Sequence, residues 1–333
     1  MRVVVLLGGD SEERDVSLAS GAQVANGLRS MGHDVLSLDP TCGLLELDQE
    51  ENLLKGTISQ LPPVGVHNTD SSMRVLEHLS QLRAADIVFP VLHGGIGENG
   101  TIQAVLDFLG IPYVGSDMLG CALSMNKDAT KRLLRASNIF TPDWVLASTI
   151  DEVMRALSFP VICKPVDGGS SVGITLVTNE EALRKCFDPE QMKGRTLMCE
   201  TFVPGRELTV GVVGEETLPI GEIIVSGEIF DYECKYRPEM ADEIFPAELD
   251  GSVTAMVSRI ALEVHRALGL RDLSRIDFIL DRNGKLWCLE ANSLPGMTTN
   301  SLLPKAAESA GFSFGEFCER LLVIAMKRNK KNS

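Results

Sequence analysis

Residues 275–292 read RIDFILDRNGKLWCLEAN, two apolar–polar alternations on either side of Asn283-Gly284. That dipeptide between apolar runs is the strongest short-range signal for a two-residue hairpin turn. Counting outward from it pairs Arg282 with Lys285, Asp281 with Leu286, Ile279 with Cys288, Asp277 with Glu290 and Arg275 with Asn292. Opposed residues share a face, and so do alternate residues along one strand. One face therefore carries Ile276, Phe278, Leu280, Trp287, Leu289 and Ala291, a core face. The other gathers Arg275, Asp277, Glu290 and Asn292 at one end. Directly opposed carboxylates repel. Either Arg275 bridges the acids at a solvated rim, or the end holds a hard divalent cation, which takes few carboxylate ligands when phosphate oxygens complete its shell.

Around this hairpin lie 333 residues with a formal charge of −15 and ordinary globular proportions of apolar and charged side chains. The length exceeds one small core, so two or three domains are expected. No stretch reaches membrane-span length. The opening MRVVVLLGGD is apolar too briefly for a leader and reads as a buried strand. Eight cysteines show no metal or redox spacing and sit mostly in apolar runs. They read as buried free thiols of a reducing compartment, the cytoplasm. The acidic balance argues against nucleic acid and anionic membrane as partners. The one basic cluster, the terminal KRNKKNS, reads as a solvated helix end. An acidic protein that handles an anion needs a local basic site.

The first third alternates strand and helix signals: strand RVVVLLGG, helix SLASGAQVANGLRSMG, strands HDVLSLD and DIVFPVLHGG, helix TIQAVLDFLG, strand IPYVGS. Such alternation implies a mostly parallel sheet covered by helices, with ligands at the carboxyl ends of its strands. Gly8-Gly9 with DSEER, and His93-Gly94-Gly95, fall at that edge, while residues 41–70 read as an irregular surface excursion. Beyond residue 116 come the amphipathic helix NKDATKRLLRASN, the helix TIDEVMRAL, the strand PVICKPV, a Gly/Ser loop flanked by strands, the helix EEALRKCF and the strand–connector–strand TLMCETFVPGRELTVGVVG. Residues 226–246 lack periodicity, and a loop of that length inside a domain is usually functional. A long helix over 251–269 precedes the hairpin, and SFGEFCERLLVIAMKR closes the chain.

Several stretches carry chemistry. In KPVDGGSSVG (164–173), Gly168, Gly169 and Gly173 permit close backbone approach, and successive N–H groups can cradle phosphate, with Lys164 beside them. It is not a P-loop, because a strand follows rather than a helix; a plain glycine-rich turn is the alternative. Lys127 opens a helix, where the macrodipole disfavours a cation unless an anion is near. Glu200 and Glu207 flank a Val-Pro-Gly connector whose backbone suits adenine, with a carboxylate for ribose hydroxyls; a rim pair is the bland reading. His93 sits at a strand end before two glycines. Glu13 and Arg14 follow the first strand, where helix capping is the simple role. A GxGxxG fingerprint after the first strand is missing, as are GxSxG, HExxH and kinase signatures, which disfavours a dehydrogenase and those enzyme classes.

Taken in order, GGDSEERDVSLASG, LHGGIGENGTIQAVLDFLGIPYVGS, ALSMNKDATKRLL, KPVDGGSSVG, ETFVPGRELTVGV, FDYECKY, RIDFILD and LEANSLPGMTTNSLLPKAA closely resemble the D-alanine–D-alanine ligase family of the ATP-grasp superfamily. The resemblance spans nearly the whole chain. It implies a three-domain α/β fold: 1–115 with the first D-alanine site, 116–199 with the glycine-rich loop, and 200–333 with the metal site and mobile loop, the latter two sandwiching ATP. It assigns Lys127, Lys164, Gly169, Ser171 and Lys235 to ATP phosphates and the lid, Glu200, Thr201, Phe202 and Val203 to adenine, and Glu207 to ribose. Asp277, Glu290 and Asn292 match ligands of two Mg²⁺ ions, with Mn²⁺ an alternative metal. Arg275 and the Gly296 N–H match an oxyanion site. Glu13 and His93 match the first D-alanine site, Ser170 and Tyr236 the link from Glu13 to the mobile loop, and Ser301 with Leu302 the site for the second carboxylate.

The family's activity is ATP-dependent joining of two D-alanines through a D-alanyl phosphate, for peptidoglycan precursor synthesis; D-lactate or D-serine as second substrate is the alternative. The 226–246 segment is the expected lid, since acyl phosphates hydrolyse in water, and a homodimer is the expected assembly. Departures are small: Ser293 stands where many relatives have Thr, and HGGIGENG differs slightly from the commoner HGRxGEDG. The resemblance associates tyrosine at 236 with dipeptide synthesis.

Overall fold

The run Val3–Leu7 is apolar at every position and wholly buried, as suits a strand covered on both faces. In the computed structural model, which describes residues 1–55, 74–166, 173–188, 196–225 and 241–332, strand β1 (Arg2–Leu6) runs parallel to β2 (Asp34–Asp39) on one side. β3 (Gly43–Leu44) adds antiparallel to the outer edge of β2, and β4 (Ile87–Pro90) lies parallel to β1 on its other side. IPYVGS, expected as a further strand, makes only the single parallel bridge Val88–Tyr113. Residues 41–70, expected to be irregular, contain β3 and the helix Leu47–Lys55 before the chain leaves the described residues. The carboxyl ends of β1 and β4 set Gly8-Gly9 and His93-Gly94 side by side.

A second sheet has the order β5 (Trp144–Ala147), β8 (Leu197–Thr201), β6 (Val161–Pro165), β7 (Thr175–Val177), antiparallel throughout. β8 then hands over through Phe202–Pro204 to β9 (Gly205–Val213), the centre of a third sheet. There β9 lies between β11 (Gly221–Val225) and β13 (Leu273–Asp281), with β10 (Glu216–Thr217) also on β9, β12 (Ala241–Ile244) outside β11, and β14 (Leu286–Asn292) outside β13.

The β13–β14 hairpin differs from its expected register in the middle and agrees at the end. Three residues, Arg282–Gly284, form the loop, with Gly284 at φ +78° and the Asp281 carboxylate accepting from the Asn283 and Lys285 N–H groups at 2.8 and 3.0 Å. A type I turn followed by a left-handed glycine is the common three-residue solution, and the Asp281 side chain stabilises it. The pairing therefore shifts by one: Phe278 faces Cys288, Ile279 faces Trp287 and Leu280 faces Leu286. Leu289 is then the extra residue of a bulge, which restores Asp277 opposite Glu290 and Arg275 opposite Asn292. A one-residue slip exchanges the faces, so Leu286 and Cys288 are the buried pair and Trp287 and Leu289 are not. Trp287 instead donates Nε1–H to Asp281 at 2.9 Å, and Lys285 Nζ sits 3.7 Å from the Trp287 and Phe140 ring centroids.

The helix Gly251–Ala267 covers one face of this sheet, packing Val257, Ala261 and Val264 on Ile276 and Phe278. The closing helices Leu302–Ser309 and Phe314–Asn332 return to the first sheet, where Leu303, Phe317 and Leu321 share a core with Val3, Val5 and Leu28. Among the described cysteines, Cys121, Cys163, Cys199, Cys288 and Cys318 are buried free thiols, Cys186 is half-buried and Cys42 is exposed; Cys234 lies outside the described residues. Among the described residues no helix is long and apolar enough to cross a membrane.

His265 on the covering helix is 4% exposed and bonds Ser274 Oγ through Nδ1 at 2.7 Å. Burial pushes its imidazole down to about 4; Glu215 opposes this and Arg266 adds to it. The unfolded chain therefore binds a proton near pH 6.5 that the folded one refuses until about pH 4. Stability from this group is complete above pH 6.5 and is lost as pH falls to about 4, by about 3 kcal/mol in all. The urea midpoint of the wild type should fall across that window more steeply than that of His265→Gln.

Candidate active site

Strand β13 carries Arg275 and Asp277 on one face, and its two neighbours complete the cluster. Arg275 Nε and Nη2 donate to Asp277 at 3.0 and 2.9 Å. Thr209, directly opposite on β9, donates Oγ1–H to Asp277 Oδ1 at 2.7 Å, and Asn292 on β14 donates Nδ2–H to Oδ2 at 3.1 Å. Arg275 and Asp277 are 9% and 7% exposed, so this is no solvated rim. Burial acts to lower the Arg275 pKa, but Asp277, and then Glu290 and Glu98, raise it overall. The opposition of Asp277 and Glu290 is thus tolerated because a buried guanidinium sits among the acids. Asp277, Glu290 and the Asn292 amide oxygen are the oxygen donors a hard divalent cation takes. Among the described residues no three His, Cys, Asp or Glu side chains converge tightly enough to hold a metal by themselves.

Lys127 meets this cluster across a cleft lined also by Glu98, Ser124, Glu290, Asn292 and Ser293. It opens the helix Lys127–Ala136, whose N-cap Asn126 accepts from the Ala129 N–H at 2.9 Å. The Lys127 N–H donates to Val166 O at 3.1 Å, fixing the helix start beside the end of β6. On β6, Lys164 Nζ lies 2.5 Å from Glu200 Oε1 on β8, and Lys131 Nζ lies 2.7 Å from Oε2. All three are buried. Burial works against charge in each. The two lysines nonetheless hold the Glu200 carboxyl below its usual range, and Glu200 with Glu290 holds Lys164 above its own. After Glu200, Thr201 and Phe202 give their N–H groups to Asp143 and Pro160 carbonyls at 2.8 and 3.2 Å, which shapes the turn toward Val203. Glu207 follows on β9, opposite Ile223 and Ile279.

At the first sheet's edge, Glu13 precedes the helix Arg14–Ser30 without capping it through its side chain. A Cβ on Gly94 would lie 2.8 Å from Glu13 Oε2, so that glycine leaves room for the carboxylate over the β4 end. His93 is 4% exposed; its Nδ1 is 3.3 Å from Glu98 Oε1, and its Nε2 is buried with no hydrogen-bond partner among the described residues. A buried nitrogen left in that state is costly unless a ligand completes it. In the loop after β14, Ser301 Oγ lies 2.8 Å from Thr298 Oγ1, and a Cβ on Gly296 would lie 2.8 Å from it. Leu302 begins the next helix, and Thr299 N–H reaches Gln23 on the Glu13 helix at 2.6 Å.

The structure thus joins Glu290, Asn292 and Lys127 in one cleft with Arg275 and Asp277 buried beside it, Lys164 with Glu200, Glu13 with the His93-Gly94 strand end, and Gly296 with Ser301 and Leu302. Gly169, Ser170, Ser171, Lys235 and Tyr236 lie outside the described residues. Glu98, Lys131 and Thr209 escaped the sequence reading. Glu98 lies five residues after His93 in the same block, and Lys131 one helical turn beyond Lys127. Thr209 carries no local signal, because it meets Asp277 only through the β9–β13 ladder.

Residues 2–116 match the family profile described as D-ala D-ala ligase N-terminus, and residues 135–323 that described as D-ala D-ala ligase C-terminus. The D-alanine–D-alanine ligase of Aquifex aeolicus is 39% identical over 94% of this chain and 97% of its own length. The crystal structure of the Bacillus anthracis D-alanine–D-alanine ligase superposes with a TM-score of 0.81 at 28% identity, covering both chains fully. The same enzyme complexed with ATP gives a TM-score of 0.79 at 26% identity, again over the whole of each chain. With the ATP-grasp arrangement of three sheets and matches across nearly its full length, the chain belongs to the D-alanine–D-alanine ligase family.

Proposed function

We propose that the chain uses ATP to join two D-alanine molecules into D-alanyl-D-alanine, a precursor for peptidoglycan, in the cytoplasm and as a homodimer. The observation that carries this reading is the Arg275–Asp277–Asn292 cluster beside a cleft lined by Lys127, Glu290 and Asn292, with Glu98 on the same cleft bonded to Nδ1 of His93. A carboxylate is a poor electrophile. An oxygen of the first D-alanine attacks the γ-phosphorus, the bond to the ADP oxygen breaks, and a D-alanyl phosphate forms. Charge on the transferring group must be neutralised, which is the task of Lys127, Lys164 and Arg275. Asp277, Glu290 and Asn292 would hold two Mg²⁺, or Mn²⁺, which supply further charge neutralisation on the phosphates.

Glu13 takes the ammonium of the first D-alanine and His93 lies near its carboxylate. Ser301 Oγ and the Leu302 N–H, at a helix start, receive the carboxylate of the second. Its neutral amine attacks the acyl carbon, the oxyanion is met by Arg275 and the Gly296 N–H, and phosphate departs as the nitrogen loses its proton. Adenine lies along Glu200–Val203 with Glu207 on the ribose. Gly169, Ser171 and Lys235 are assigned to the phosphates, and Ser170 with Tyr236 to the closing link with Glu13.

Incubation with Mg²⁺-ATP and D-alanine, D-lactate or D-serine, followed by ADP release and product mass, tests this. D-alanine alone should yield ADP and the dipeptide. No ADP with D-alanine overturns the ligase reading, and a depsipeptide as main product at neutral pH overturns the assignment of Tyr236 to dipeptide synthesis.

A further inference from the structure

Lys131 is 1% exposed, and its ammonium is surrounded by three oxygens: it donates to Thr141 Oγ1 at 2.8 Å and Pro142 O at 3.1 Å and is ion-paired with Glu200 Oε2 at 2.7 Å. It has no donor left for a ligand. The other oxygen of Glu200 holds Lys164, for which Glu200 is the one hydrogen-bond partner among the described residues. One carboxylate is thus shared between two lysines, one locked into the fold and one whose other protons meet no acceptor among the described residues.

We infer that Lys131 is a positioning residue: by occupying one oxygen of Glu200 it keeps Lys164 turned toward the nucleotide phosphates. This rests on the ATP reading above. Two ammonium groups against one carboxylate leave a single net positive charge in a buried place, where an anion is strongly attracted. Without Lys131 the pair Lys164–Glu200 is neutral. Both carboxylate oxygens then compete for the Lys164 protons, and the phosphates lose that charge-assisted contact. Lys131 and Lys127 lie four apart on one helix, so the same face supplies both a lysine lining the cleft and the lysine that sets Lys164.

The test is ADP affinity measured by calorimetry on the full chain, alongside thermal midpoints. Lys131→Met should weaken ADP about tenfold, the size of one charge-assisted hydrogen bond. In a Lys164→Met background the same substitution should weaken ADP clearly less than it does in the wild type, since the positioning of Lys164 is already lost and only the change of one charge remains. Should Lys131→Met not fold, Lys131→Gln keeps a donor to Thr141 while losing the charge, and the same tenfold loss is expected. ADP affinity unchanged in the single variant, or an undiminished loss in the Lys164→Met background, overturns the inference and leaves the ATP reading standing. A wild type that binds no ADP overturns both.

Discussion

Arg275→Met should lose about a thousandfold or more in turnover while still binding ADP, because in the proposed mechanism the guanidinium serves both the transferring phosphoryl group and the oxyanion. The same substitution should also lower stability. Asp277 keeps Thr209 and Asn292 as hydrogen-bond donors but loses its only cationic partner among the described residues, in a place 7% exposed. Breaking one side of a buried pair costs about 3–5 kcal/mol. The double variant Arg275→Met/Asp277→Asn should recover part of that loss, since the orphaned charge is gone, without recovering turnover. Steady-state kinetics and denaturant midpoints on the wild type and the two variants separate the two effects. Turnover of Arg275→Met within tenfold of wild type would remove Arg275 from the reacting centre.

The second large effect is expected at Asp272, which leads into β13 three residues before Arg275. Its Oδ2 accepts the Gly115 N–H at 2.8 Å and lies 2.9 Å from Arg328 Nη1, while Arg328 also donates to the Tyr113 and Gly115 carbonyls. Three distant segments meet there: the last bridge of the first sheet, the entry to β13 and the closing helix. Burial raises the Asp272 carboxyl, with Arg328 and the Gly115 N–H opposing it. Asp272→Ala removes the acceptor and the counter-charge together, at about 3–5 kcal/mol. It also places alanine at φ +57°, a backbone cost of about 1–2 kcal/mol. Asp272→Asn keeps an acceptor and tolerates that backbone, so its denaturant midpoint should lie between wild type and the alanine variant. Equal midpoints for the two variants would show that the acceptor contributes nothing.

Much of the site was legible because its groups lie close in sequence or alternate along one strand. Asp277 and Glu290 were paired correctly although the middle of the hairpin was not: the three-residue loop and the Leu289 bulge shift the register in opposite directions. The Asn-Gly signal could not choose between a two- and a three-residue loop. The Asp281 side chain decided that, and the slip moved Trp287 from the expected core face to the side where Lys285 and Phe140 meet it. IPYVGS has strand composition, yet only Tyr113 pairs, because the chain turns there toward Asp272.

The sequence by itself determined the period of each element, the apolar faces that close the sheets, and the glycine positions where a carboxylate or a backbone comes close. Those follow from local sterics and side-chain alternation, which act over a few residues. Tertiary structure alone decided that Thr209 would orient Asp277, that Lys131 and Lys164 would share Glu200, that Glu98 would stand between His93 and Arg275, and that Asp272 would bind Gly115 and Arg328. Each is a buried polar contact between segments whose separation along the chain carries no periodic signal. Their partners are fixed only when burial removes water and every charge must find a protein group to meet it.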